Sequence, residues 1–174
     1  YASIAKAYGA KVPFLRSAGT STDTAKSMDV IFEVLERYDR IGHHFDNVVF
    51  LQPTSPLRTC RNIDDAFELF KEKNADSVVS VCECEYSPLL SNTLPADFNL
   101  SGFIKSGNDL RRQELRQYYR LNGAIYISKV DILREIQSFY GRNSYAYIMQ
   151  QKESIDIDSE LDLEYAEFLI KRHT

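Results

Sequence analysis

Short apolar runs alternate along the chain with segments whose apolar residues recur every three to four positions, the pattern of strands interleaved with amphipathic helices. Tyr1 to Tyr8 reads as the closing turns of a helix, stopped by Gly9. Val12 to Leu15 predicts a short strand, with Pro13 tolerated only at an edge or a strand end. After the polar loop Ser17 to Thr24, a helix face is marked by Ala25, Met28, Phe32 and Leu35, with Ile31 beside it, and Gly42 closes the region. Asn47 to Leu51 is β-branched and apolar, the pattern of a fully buried strand. It stops at Gln52-Pro53-Thr54-Ser55-Pro56, where neither proline can donate to a sheet ladder. Ile63, Ala66, Phe67 and Phe70 then predict a helix capped by Asn62, with Asp65 three residues on. Asp76 to Cys82 is a second buried strand. Strand, helix and strand in succession suggest a right-handed crossover and a parallel sheet.

From Ser87 to about Tyr119 the periodicity fades, and Pro88, Pro95, Gly102 and Gly107 punctuate the stretch. Phe98 to Lys105 allows a short strand or hairpin. So long an insert without regular structure points to a functional excursion that packs on something. Leu121 to Ser128 restores a core strand. Val130 to Phe139 predicts a helix with Ile132, Leu133 and Ile136 inward, and Tyr145 to Met149 a further strand. In Ile155-Asp156-Ile157-Asp158, strand alternation places both isoleucines on one face and both aspartates on the other. Ser159 with Asp162 caps a last helix whose Leu163, Ala166, Leu169 and Ile170 face inward. The class is α/β.

Two places in this pattern bear on chemistry. The loop Gln52 to Pro56 joins the carboxyl end of a strand to a helix, where ligands bind in open α/β sheets. It is otherwise a rigid connector. Asp156 and Asp158 combine a strand end, two carboxylates on one face and a helix start. Like charges so placed repel unless a cation lies between them. Mg²⁺ suits such a place, since it takes one or two carboxylates together with substrate phosphates. The other reading is a charged strand end.

Composition narrows the field. The chain has 174 residues, 44% of them hydrophobic, enough for one domain with a proper core. Its net charge of −4 offers no general polyanion surface, so nucleic acid is not expected as a partner. No apolar run reaches the ~20 residues of a membrane helix. The three cysteines, Cys60, Cys82 and Cys84, have no framework spacing and point to reduced thiols in the cytoplasm. Cys82 and Cys84 share one strand face and read as small buried residues. His43-His44 reads as a solvated pair.

The stretch Leu51-Gln-Pro-Thr-Ser-Pro-Leu-Arg58 resembles the signature of the acylneuraminate cytidylyltransferase family, the CMP-sialic acid synthetases and their relatives. Further likeness lies in Val12-Pro-Phe-Leu-Arg16 with Asp23-Thr-Ala-x-Ser27, in Arg111-Arg-Gln113, in Asn122-Gly-Ala-Ile-Tyr126 and in Ser154-Ile-Asp-Ile-Asp-x-Glu-x-Asp-Leu163. Together these cover the chain from about Ile4 to its end. The resemblance implies a three-layer Rossmann-like nucleotidyltransferase core, mostly parallel with helices on both faces, formed by residues 1–86 and 120–174. Residues 87–119 would be a dimerisation arm.

It also implies roles. Arg16 and Ala25 would read cytosine, with Ser27 near the ribose and phosphate. Without the family, Arg16 is a solvated arginine and Ser27 a first-turn serine. Gln52, Arg112 and Tyr126 would position the sugar acid, Arg112 by bidentate hydrogen bonds to its carboxylate; the plain alternative for Arg112 is a surface salt bridge. Phe139 and Tyr140 would line the acyl pocket of the neighbouring subunit, or else form a helix-end core cluster. Asp156 and Asp158 would hold Mg²⁺ and serve catalysis, Asp158 helping to deprotonate the attacking hydroxyl. The substrates would be CTP and a sialic-type acid, and the assembly a homodimer.

Two departures touch the choice of sugar. Leu90 stands where the family often has Lys, and Leu115 is followed by Arg116 where the family usually has Pro. The family's first strand and Gly-rich phosphate loop do not precede Tyr1, so the 174 residues are expected to be a truncated piece that turns over little by itself. Alternatives are a sibling synthetase for a pseudaminic, legionaminic or eight-carbon acid, and a non-catalytic dimerising fragment. An aspartate-nucleophile phosphatase also uses Asp-x-Asp, but there the motif opens the chain.

Overall fold

A computed structural model of the chain describes residues 1–105, 107, 111 and 114–173. It divides into two compact units, Tyr1–Val48 with Lys129–Ser138, and Val49–Ser128 with Phe139–Thr174.

The first unit carries α1 (Ala2–Ala7) and α2 (Ser27–Arg40). Gly9, at φ +88°, ends α1 as its sequence predicts. The strand expected over Val12–Leu15 is not formed. Pro13 removes one donor from that stretch, and side chains of α2 hold it instead: Phe14 packs edge-on to Tyr38 at 5.2 Å, and Arg37 donates to the Leu15 carbonyl at 2.6 Å. On α2, Ile31 and Leu35 are the buried residues, so Ile31 belongs to the inward stripe rather than beside it. α4 (Val130–Ile136) is shorter than its apolar pattern suggests. It ends where Gln137 turns left-handed at φ +49°, which leaves Ile136 40% exposed.

Glu33 organises the loop before α2. Its carboxylate accepts from the Ser17 backbone N–H at 2.7 Å and the Ser17 hydroxyl at 2.9 Å, as well as from the Thr20 hydroxyl, and pairs with Arg37 at 2.7 Å. These bonds hold its pKa down at about 2, the Thr20 hydroxyl contributing most. A depressed carboxylate stabilises the fold fully above its ordinary pKa of 4.5, and loses that contribution as pH falls through its folded value. An NMR titration of the Glu33 carboxyl is expected to show a midpoint near the folded value of about 2. An ordinary midpoint would mean the loop is not held this way.

Most of the second unit's strand residues belong to a four-stranded sheet in the order β1-β3-β2-β4. The strands are β1 (Asn47–Phe50), β2 (Ser77–Glu83), β3 (Tyr119–Lys129) and β4 (Ser144–Met149). β2 runs parallel to β4 and antiparallel to β3, so the sheet is mixed. β1 and β2, consecutive strands in the chain, are separated by β3. β1 is not fully buried as its composition suggests: it is an edge strand, and Val49 is 39% exposed. α3 (Cys60–Glu72) packs on the sheet through Ala66 and Phe70, joining Val78, Ile125 and Ile127 in the core. Each such fully buried aliphatic side chain contributes about 1.5–3 kcal/mol. The cap of α3 is Thr59 rather than Asn62; Asn62 is its capping-box partner, accepting from the Thr59 N–H at 2.8 Å.

Two further expectations give way in this unit. Phe98 to Lys105 forms turns rather than a strand. Residues 154–157 join no ladder. Cys82 is buried in β2, while Cys84 lies past its end. α5 (Glu160–His173) is capped as predicted, with Asp162 accepting from the Ser159 N–H at 2.8 Å and its hydroxyl at 2.7 Å. Of its expected inward face only Ala166 is buried; Leu163 and Ile170 are 45% and 50% exposed.

Candidate active site

The site grows from an irregularity in β3. Val79 of β2 pairs with Tyr126, but Val81 pairs with Leu121, so Asn122–Ile125 has no one-to-one partner and bulges. Side chains replace the lost ladder bonds. The Ser80 hydroxyl donates to Asn122 Oδ1 at 2.6 Å and accepts from the Ile125 N–H at 2.7 Å. The Ala124 N–H donates to the same Asn122 oxygen at 3.2 Å. The Asn122 amide donates to the Ser154 hydroxyl at 2.9 Å. Asn122, Ser80 and Ser154 are wholly buried, and satisfied polar networks of this kind fix one arrangement of the segments they join.

The bulge puts Gly123 at φ +71°, where side chains are strained. The space beside its Cα is taken by three polar groups. A methyl there would collide with Gln52 Oε1 and lie 3.2 Å from Ser55 Oγ and 3.3 Å from Asp156 Oδ2. Two chain segments, the loop Gln52–Ser55 and the stretch around Asp156, therefore meet over one bare Cα.

The loop after β1 is locked to this bulge. Ser55 is wholly buried and donates to the Asn122 carbonyl at 3.1 Å. Arg58 donates from Nη1 to the Gln52 carbonyl at 3.2 Å and to the Ala124 carbonyl at 2.7 Å. Burial lowers the Arg58 pKa. The Ile157 N–H donates to the Thr54 carbonyl at 2.8 Å, which draws the Asp156 segment onto the same loop.

Asp156 is half-buried, and its Oδ1 is buried without a hydrogen-bond donor. A carboxylate oxygen left so is costly unless a cation or a protonated partner meets it. Among the described residues no three His, Cys, Asp or Glu side chains form a metal cage. The unpartnered Asp156 Oδ1 is a group that suits a hard ion, which takes few carboxylates together with substrate oxygens. Tyr126 lies within electrostatic reach of Asp156, and its hydroxyl is hydrogen-bonded to that of Tyr140. Burial, then Tyr140 and Asp156, push the Tyr126 pKa up to about 12, so the phenol keeps its proton near neutrality. Its ring lies 5.8 Å from Phe50 and 5.1 Å from Phe139.

Gln52, Tyr126, Tyr140 and Asp156 of the sequence-derived set are thus brought together. Phe139 is 6% exposed and packs against Tyr126 of its own chain, whereas Tyr140 is 58% exposed. Asp158 is exposed, and its N–H donates to Asp162 at 3.2 Å at the start of α5, so the two aspartates do not share one strand face. Arg16, Ala25 and Ser27 lie in the first unit. Arg112 lies outside the described residues. Reading the sequence assigned no role to Ser55, Arg58, Asn122 or Gly123. The signal was Asn-Gly inside a strand pattern, which marks a bulge or a close backbone approach.

No family model matches the chain. Individual proteins do. A protein of Campylobacter coli named post-translational flagellin modification protein B is 34% identical over 98% of this chain and 72% of its own length. The CMP-N,N'-diacetyllegionaminic acid synthase of Legionella pneumophila is also 34% identical, over 98% of this chain and 73% of its own. An N-acylneuraminate cytidylyltransferase of Streptococcus agalactiae is 35% identical over 85% of this chain and 35% of its longer one. Among solved structures, a CMP:2-keto-3-deoxy-manno-octonic acid synthetase complexed with CTP superposes with a TM-score of 0.63 at 13% identity, over 99% of this chain and 77% of that one, a likeness of fold. A third of the residues shared along nearly the whole chain, in a fold matched independently, show that the chain belongs to the acylneuraminate cytidylyltransferase family of CMP-sugar-acid synthetases.

Proposed function

We propose that the protein joins CTP to a nine-carbon 2-keto sugar acid, giving the CMP-sugar and pyrophosphate. The observation that carries this reading is the meeting of Gln52, Ser55 and Asp156 over the bare Cα of Gly123, beside a protonated Tyr126. Relatives alike along nearly the whole chain include one named for diacetyllegionaminic acid, and another, alike over 85% of the chain, is named for N-acylneuraminate. The eight-carbon acid named for the structural neighbour rests on 13% identity and supports only the fold.

The anomeric hydroxyl of the sugar acid attacks the α-phosphorus of CTP. A new O–P bond forms, the bond to the pyrophosphate oxygen breaks, and Asp158 takes the hydroxyl proton. Gln52 and Tyr126 orient the sugar, with Tyr140 at the rim and Arg112 on its carboxylate. Arg16, Ala25 and Ser27 hold the cytidine. Asp156 and Asp158 would hold Mg²⁺, and Asp156 Oδ1 is the oxygen without another partner. When bound, the ion supplies charge neutralisation on the phosphate oxygens. Holding the reactants in line is the larger part of such catalysis.

The assembly we infer is a homodimer built on residues 87–119, where Leu94, Phe98 and Leu100 are 54%, 73% and 63% exposed. A cytoplasmic setting suits CTP chemistry and three free cysteines. Among the described residues no helix is long and apolar enough to cross a membrane.

The test is pyrophosphate release by the complete natural chain with each of the four nucleoside triphosphates, with and without Mg²⁺, against neuraminic, legionaminic, pseudaminic and eight-carbon acids. Sedimentation of the same sample reads its mass. Release only with CTP, Mg²⁺ and a nine-carbon acid, from a dimer, is the expected result. Preference for the eight-carbon acid would transfer the reading to the sibling synthetase. No release from a dimer that binds no CTP would leave a non-catalytic module.

A further inference from the structure

The exposed guanidinium of Arg16 makes no hydrogen bond or ion pair among the described residues, yet the backbone on both sides of it is clamped. On one side, Arg37 donates from Nη1 to the Leu15 carbonyl at 2.6 Å. On the other, the Ser17 N–H donates to Glu33 Oε1 at 2.7 Å. The two clamping side chains are themselves paired: Arg37 Nη2 lies 2.7 Å from the same Glu33 oxygen, one helical turn apart on α2. The guanidinium of Arg37 also sits 5.3 Å from the ring centroid of Phe14.

An isolated surface pair of this type contributes little to stability. Here it spans Arg16 and uses directional bonds to the main chain. Arg and Glu are needed for this, because one planar fork must serve both a carboxylate and a carbonyl.

We propose that Glu33 and Arg37 are a positioning pair for the nucleotide subsite, holding Arg16 ready to receive the pyrimidine of the nucleoside triphosphate. Neither side chain touches the nucleotide. The pair acts by removing the ordering that the loop Leu15–Thr20 would otherwise undergo on binding, so its loss weakens ground-state and transition-state binding alike. This inference rests on the assignment of Arg16 to the nucleotide.

The experiment compares E33A, R37M and R16A with the double variants E33A/R37M and R16A/E33A in the pyrophosphate-release assay. It reads KM for CTP, KM for the sugar acid and kcat separately, with direct CTP binding by calorimetry. E33A and R37M are each expected to raise the KM for CTP about tenfold, with kcat and the sugar-acid KM within about twofold. Because the two act as one unit, E33A/R37M should be no worse than either alone. In the R16A background, E33A should add nothing. Should E33A not fold, R37M reads the same link, since it keeps the hydrocarbon packing on Phe14 and the Glu33 bonds to Ser17 and Thr20.

An unchanged KM for CTP in both single variants would overturn the proposal. So would an E33A effect that persists in full when Arg16 is already alanine. R16A leaving CTP binding unchanged would remove the assignment of Arg16 itself, and the proposal with it.

Discussion

Replacing Gly123 by alanine is expected to lower stability by about 1–2 kcal/mol and pyrophosphate-releasing activity by about 10²-fold. The stability loss comes from φ +71°, a left-handed conformation that an L side chain adopts at a cost. The activity loss has a separate origin. The new methyl would occupy the position of Gln52 Oε1 and crowd Ser55 and Asp156 at 3.2 and 3.3 Å. Ser55 is held by the Asn122 carbonyl and has no room to yield, so the movement falls on Gln52 and Asp156, the two groups with assigned roles. Gly42→Ala is the control: at φ +81° it carries a similar strain, but its methyl would meet nothing within 4 Å. Thermal melts of the two variants should therefore be alike while their activities differ. Equal activities would show that Gly123 serves only the turn.

Asp156→Asn should give a different combination, loss of activity without loss of stability. Activity is expected to fall by about 10³-fold, the range for removal of a group acting directly on charge or proton in the reaction. Stability in the absence of Mg²⁺ should be unchanged or higher, because the substitution keeps the shape and removes a charge whose Oδ1 is buried without a donor. The reading that decides the case is the response to metal. At about 100 times its Kd, Mg²⁺ would stabilise the native protein by about 2.7 kcal/mol through mass action. Asp156→Asn should abolish that increment in a melt followed with and without Mg²⁺. A variant that keeps the increment would place the metal elsewhere and return Asp156 to a structural role.

Where local pattern and tertiary environment agree, the elements were legible. β2, β3 and β4 follow from short runs rich in β-branched, aromatic and other apolar residues, and α2 and α3 from apolar stripes on helical spacing. Elements whose existence depends on a distant partner were misread. Val12–Leu15 and Phe98–Lys105 carry strand-like residues, but a strand needs a neighbour to take its N–H and C=O groups, and composition does not reveal one. β1 reads as buried because valine and phenylalanine say nothing about which strand lies at the edge. α5 shows the same limit in a helix: Leu163 and Ile170 have the right spacing, but in this structure they face outward.

The site divides along the same line. Gln52, Tyr126 and Asp156 were singled out as candidates by resemblance to family motifs, and Asp156 also by its place at a strand end, all local properties. Their mutual placement was not legible, because it depends on a register shift between β2 and β3, whose paired residues lie more than thirty-five positions apart in the chain. Ser80 and Ser154 look like ordinary serines until the shift brings both onto Asn122.

By itself, then, the sequence determined the α/β class, most helices and strands, the family and the chemical groups available for nucleotidyl transfer. Periodicity and short motifs are properties of neighbouring residues, and they survive without knowledge of the fold. Only the tertiary structure decided that β3 lies between β1 and β2 and bulges at Asn122, and that Gly123 leaves room for Gln52, Ser55 and Asp156. It also decided that Glu33 and Arg37 clamp the backbone around Arg16. Each of these rests on hydrogen bonds between residues far apart in the chain, and such bonds form only when the whole fold brings donor and acceptor together.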